Sequence, residues 1–101
     1  MPLDLREYAR GKPCRIMLPG YAHDRATTVL CHWRHSGITG TGQKAPDILG
    51  AHGCYDCHRV TEGEQLTAEE KKLDRDWLEL MFLQGVARTQ YALVKEGVIK
   101  W

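Results

Sequence analysis

An α+β fold is what this sequence predicts, and three observations carry it. Short segments rich in β-branched, aromatic and aliphatic residues lie between residues 14 and 52 and are separated by glycine and proline turns. One long pattern at helical spacing follows after residue 67. All four cysteines and all five histidines fall between residues 14 and 58, so the strand-bearing part also holds the reactive side chains. Strands followed by a helix, without alternation, belong to α+β folds and not to doubly wound ones.

The elements follow in order. Residues 3–10 suit a short helix or a basic arm. "CRIML", residues 14–18, reads as a short strand ended by the turn Pro19-Gly20. "TTVLCHW", residues 27–33, reads as a second strand. "SGITGTGQKAPD", residues 36–47, carries three glycines and a proline and is a loop. It lacks the Gly-Lys-Ser/Thr ending of a phosphate-binding P-loop. "ILGAH", residues 48–52, suits a further strand, and "CYDCHRV", residues 54–60, begins a short helix or turn. Thr67 and Glu70 make a capping box, which predicts a helix from there. Leu73, Trp77, Leu80, Met81 and Gln84 supply its apolar spacing, and Gly97 supplies a C-cap.

With 101 residues the chain is one domain. A chain of this size buries only about 65% of its unfolded surface, so a staple such as a metal adds much to its stability. Apolar residues at 43% and charged residues at 27% are ordinary for a globular protein. No apolar run approaches a membrane span and no secretory leader is legible, so the expected location is the cytoplasm of a bacterial host, with no membrane partner. In that reducing setting cysteines serve as ligands more often than as disulfides. Net charge is +1, but residues 1–60 carry eight Lys/Arg against five acids, which makes that part the better candidate for phosphate contact.

The run "CYDCH" at residues 54–58 admits three chemistries: attachment of a c-type haem, thiol–disulfide exchange, or metal binding. Haem attachment is normally completed outside the cytosol and leaves two further cysteines unused. A redox pair wants a strand-to-helix junction in a βαβ frame, which the loop-rich first half lacks. Metal binding accounts for more residues. The C-x2-C spacing lets Cys54 and Cys57 reach one tetrahedral ion, and Cys14 is the natural third ligand. The fourth is His23 or Cys31. His58, adjacent to Cys57 on a helix, points away from that ion. Glu62 lies four residues on, along the same helical face, so the pair can share a divalent cation or a plain surface hydrogen bond.

The ordered set "LCHWRHSGITGTGQKAPD…CYDCH" resembles the zinc-containing branch of the HNH, or ββα-metal, nucleases. More narrowly it is similar to the YbcO-type phage and prophage family of that fold. Matching stretches are "ARG" at 9–11, Cys14, "PG" at 19–20, 29–34, 37–47, "C--CH" at 54–58 and much of 85–100. The resemblance implies a zinc-stapled ββα-metal part over residues 1–66 with a C-terminal helical part over 67–101. It implies structural Zn²⁺ on Cys14, His23, Cys54 and Cys57. His32 matches the general base, a task suited to an imidazole near neutral pH. Asp47 matches the Asn/Asp position that orients the His32 ring or touches the metal. His58 and Glu62 match ligands of a catalytic divalent cation, Mg²⁺ or another, that stabilises charge on the scissile phosphate.

Two positions depart from the pattern. Tyr21-Ala22-His23 stands where the family has a cysteine shortly after the Pro-Gly turn, which makes His23 the choice for the fourth zinc ligand. Cys31 stands where many HNH enzymes place a His or Asp ligand, and a thiol is a poor partner for Mg²⁺. The expected function is a metal-dependent DNA endonuclease of low sequence specificity in phage or prophage DNA processing or recombination. Arg6, Arg10, Lys12, Arg15, Arg34, Lys44 and Arg59 are the expected phosphate contacts. A second copy of the chain, or phage and host recombination proteins, are the further partners considered. The alternative is a non-catalytic zinc module that binds DNA or protein. His35 and His52 receive no role.

Overall fold

The computed structural model describes residues 4–33 and 46–100. Its elements are helix α1 (Leu5–Ala9), strand β1 (Val29–Cys31), strand β2 (Ala51–Gly53), helix α2 (Tyr55–Glu62) and helix α3 (Arg75–Lys95), with 3-10 turns at Arg25–Thr27, Asp47–Leu49 and Glu70–Lys72. The result is a small α+β protein, with two antiparallel strands and three helices among the described residues. Val29 pairs with Gly53, Leu30 with His52 and Cys31 with Ala51. Among the described residues no helix is long and apolar enough to cross a membrane.

Residues 14–18, expected as a strand, are irregular. Met17 adopts φ 56°, outside the strand region, and its N–H donates to Cys14 Sγ at 3.4 Å instead of to a neighbouring strand. One backbone bond, Arg15 N–H to the His52 carbonyl at 2.6 Å, ties this segment to β2. Burial nevertheless alternates along it: Ile16 and Leu18 are inside while Met17 is exposed. The second strand is shorter than 27–33 because Arg25–Thr27 forms a turn capped by the Asp24 carboxylate, which accepts from Ala26 N–H. The third begins at Ala51, since Asp47–Leu49 is a turn.

The capping box at Thr67 and Glu70 forms in both directions, at 2.9 and 3.2 Å, yet caps only one turn. The chain extends at Leu73 and restarts with Asp74 as N-cap, its carboxylate accepting from Asp76 N–H at 2.9 Å. α3 ends as expected at Gly97, φ 74°. Val98 N–H bonds to the Leu93 carbonyl and Gly97 N–H to that of Val94, the Schellman pattern.

The buried face of α3 is Leu78, Phe82, Gly85, Val86, Thr89 and Leu93. It is rotated from the expected one: Leu80 is half exposed and Gln84 lies outside, while Trp77 and Met81 flank the core. Gly85 explains the rotation. A Cβ there would lie 3.0 Å from both Cα and Cγ1 of Ile16, so α3 packs directly against the 14–18 segment at this glycine. The core then joins Ile16, Leu18, Val60, Leu78, Phe82 and Val86 to Cys14, Cys54 and Cys57. The three sulfur atoms are therefore part of the core.

Candidate functional site

Cys14, His23, Cys54 and Cys57 converge, with one ligand atom from each all within 4.8 Å of one another. Two segments supply them. Cys14 and His23 come from the irregular chain after α1. Cys54 is the N-cap of α2 and Cys57 lies in its first turn, fully buried. Cys54 has its backbone extended and leaves its side chain uncommitted to capping, so its sulfur is available to a metal. Both non-glycine residues with left-handed backbone in this region, Met17 and His23 at φ 56°, belong to the ligand-bearing segment. Such conformations cost of order 1–3 kcal/mol and persist where the surroundings demand them. Here they turn a N–H toward Cys14 and bring an imidazole to the sulfurs.

The donor set fits zinc. With Zn–S near 2.3 Å and Zn–N near 2.0–2.1 Å, a tetrahedral S···N edge is about 3.6 Å. Both Cys54 Sγ and Cys57 Sγ lie 3.7 Å from His23 Nδ1. The Cys57 thiol donates to Cys14, and this bond, helped by the N–H of Met17, holds Cys14 below the ordinary thiol range. The same bond pushes the Cys57 thiol up, and burial raises Cys54. Cys31 stands apart from this group. It is fully buried, and its thiol faces the carbonyls of Val29 and Gly53 at 3.7 and 3.9 Å. Burial, then the negative charge of Glu62, raises its pKa well above the ordinary thiol value. His23, not Cys31, completes the four.

Two histidine–carboxylate pairs accompany the cysteine group. His32, just past β1, places Nε2 2.7 Å from Asp47 Oδ1 in the turn before β2. The side chain of His32 is 10% exposed and that of Asp47 36%, so the imidazole is positioned while the carboxylate meets solvent. Arg6 Nε of α1 lies 3.9 Å from Asp47 Oδ2. On α2, His58 Nε2 lies 3.0 Å from Glu62 Oε1 across one turn.

The expected phosphate contacts divide. Arg34 and Lys44, with His35, lie outside the described residues. Arg10 is exposed beside Glu7, and Lys12 sits over the Tyr8 ring near Glu96. Arg59, expected on phosphate, is instead an internal brace. Its guanidinium grips both oxygens of Glu70 at 2.7 and 2.9 Å and reaches Asp56 at 3.2 Å. Tyr21 OH donates to the same Glu70 at 2.6 Å. Sequence reading saw Glu70 only as a capping residue; its i+11 relation to Arg59 has no periodic signature. His52, left without a role, is buried beside Thr89 and Tyr8, and burial lowers its pKa.

The fold and site thus define a small α+β protein whose Cys3His group can hold a metal ion such as zinc, with two histidine–carboxylate pairs beside it. The chain belongs to the YbcO family: residues 3–98 match the family model described as "Putative nuclease YbcO". It is 38% identical over 98 residues to the protein of that name from Escherichia coli K12, covering 96% of this chain and 97% of the relative. The "Putative nuclease ybcO" of Enterobacteria phage 82 matches to the same extent. A solved structure, "Structure of a putative bacteriophage protein from Escherichia coli str. K-12 substr. MG1655", superposes with a TM-score of 0.72 at 32% identity. It covers 93% of this chain and 100% of its own.

Proposed function

We propose that this chain is a metal-dependent DNA endonuclease of the HNH type, acting with low sequence specificity in phage or prophage DNA processing. The observation that carries the reading is the His32–Asp47 pair at 2.7 Å, at the end of one strand of an antiparallel pair whose partner strand leads directly into α2. Strand, strand, helix is the order of a ββα-metal unit, and the zinc group would staple the helix end of it.

In the proposed mechanism His32 is the general base. Its Nε2–H donates to Asp47, which leaves Nδ1 unprotonated to take the proton of a water molecule as that water attacks phosphorus. Asp47 holds the tautomer and stabilises the imidazolium that forms, the role a carboxylate plays behind any catalytic histidine. His58 and Glu62 are the proposed ligands of a divalent cation. Their 3.0 Å separation equals the edge between adjacent ligands of an octahedral ion with bonds of about 2.1 Å. Held there, such an ion would supply charge stabilisation at the scissile phosphate and the leaving oxygen.

The test is cleavage of plasmid and branched DNA in Mg²⁺, Mn²⁺ and Ni²⁺ by the wild type and His32→Ala. General base catalysis contributes about 10²–10⁴-fold, so the variant should lose at least two decades. Cleavage that persists unchanged in His32→Ala removes the mechanism. A second reading, a non-catalytic zinc module that binds DNA, is favoured by Cys31, a buried thiol at a position where HNH enzymes place a metal ligand. Its signature is salt-sensitive DNA binding with no nicking in any of the three metals.

A further inference from the structure

An open cavity of about 730 Å³ lies along the C-terminal half of α3, lined by Arg15, Ala87, Arg88, Tyr91, Ala92, Lys95 and Glu96. None of His32, Asp47, His58 or Glu62 lines it. Three cations face one acid, and that acid is already engaged: Glu96 accepts from Tyr8 OH and lies 3.9 Å from Lys12. Among the described residues Arg15 Nε is buried with no hydrogen-bond partner, and the same side chain lines the cavity. Arg88 is fixed at the wall by its bond to the Arg15 carbonyl at 2.9 Å. Tyr91 is 65% exposed, with Lys95 Nζ 5.5 Å from the centre of its ring.

We propose that this face holds a second stretch of the DNA substrate as an unpaired strand, with phosphates on Arg15, Arg88 and Lys95 and a base stacked on Tyr91. The inference rests on the reading of the chain as a DNA-acting protein. Cations beside an exposed aromatic ring are the combination that single strands use, since every base has a π-face and every linkage a charge. Arg88 to Lys95 spans about 10 Å of helix, room for roughly three nucleotides of stacked strand.

The test uses the full zinc-loaded chain without Mg²⁺, and a single-stranded 12-mer carrying 2-aminopurine, beside its duplex. Both substituted side chains are exposed, so the fold is retained. Tyr91→Ala should weaken single-strand binding about 5- to 150-fold and abolish the stacking quench of 2-aminopurine. Lys95→Ala should lower the slope of log K against log salt by about one. The inference is overturned if both variants bind and quench as the wild type does, or if only inorganic phosphate binds in a Lys95-dependent way. A chain that cleaves in no metal yet binds single strands through Tyr91 and Lys95 keeps this inference and removes the nuclease reading. Cleavage that depends on His32, with binding indifferent to both substitutions, does the reverse.

Discussion

Replacing Gly85 by alanine tests how the C-terminal helix supports the metal group. On an exposed helical surface this change stabilises by about 1 kcal/mol, because alanine is the better helix former. At Gly85 the added Cβ would stand 3.0 Å from Ile16 Cα, 3.0 Å from its Cγ1 and 3.2 Å from its backbone nitrogen. Relief requires Ile16 to recede, and its neighbours oppose that. Arg15 N–H is bonded to His52, Met17 N–H to Cys14, and Ile16 Cδ1 already occupies the place a Cβ on Gly53 would take, at 2.7 Å. Overpacking of this kind costs about 1–3 kcal/mol, which exceeds the helix gain. The expected net is a loss of about 1 kcal/mol. For a chain near this length that lowers Tm by about 4–8 °C in thermal unfolding followed by circular dichroism with zinc present. Because Ile16 moves with Cys14, zinc affinity measured against a chelating dye should fall as well. A variant that melts several degrees higher, as an open helical site would, refutes the packing argument.

Other outcomes follow from the same geometry. Stripping the metal with a strong chelator, or Cys57→Ser, should unfold the region around α2: structural zinc contributes ~10–16 kcal/mol in peptide systems, against a total of roughly 5–15 for a small domain, and far-UV circular dichroism reads the loss. Asp47→Asn keeps the side-chain shape, but its amide disturbs the tautomer of His32; cleavage should fall about 10²–10⁴-fold with the melting curve unchanged. Phe82→Ala, at a site 6% exposed, should cost about 3–5 kcal/mol in urea unfolding. The Glu70 brace sets two limbs of a pH profile. Arg59 first, then Thr67 N–H and Tyr21, depress the Glu70 carboxyl, so its contribution is present above the unfolded value near 4.3 and lost as pH falls below it. Tyr21 is pushed up to about 12, chiefly by burial and then by Glu70, so its contribution holds below pH 10 and is lost as pH rises toward 12. Glu70→Gln should flatten the acid limb of stability and Tyr21→Phe the alkaline one; limbs unchanged in both variants would remove the network from the stability argument.

Much of the site was legible because its signals are local. C-x2-C on one helical turn, His58 with Glu62 at i, i+4, and Gly97 past the last helical residue each depend on spacing alone. The expected strand at residues 14–18 failed for a physical reason. Met17 there is left-handed and gives its N–H to sulfur, and a short apolar run before a Pro-Gly turn does not distinguish that from pairing with a strand. The helix start was misplaced because a satisfied capping box can close a single 3-10 turn, and Asp74 then offers a second N-cap. Arg59 was assigned outward because charge alone carries no direction; Glu70, distant in sequence, turned it inward.

By itself the sequence determined the α+β division, the sulfur atoms that can hold a metal, and the other residues whose chemistry suits a metal or a phosphate, since these follow from residue type and short-range periodicity. Only the tertiary structure decided between His23 and Cys31, brought Asp47 to His32, turned Arg59 away from solvent and set which face of α3 is buried. Each of those choices joins side chains from separate segments. Such contacts depend on which backbones approach closely and which polar atoms are left to satisfy, and that is settled only when the core packs.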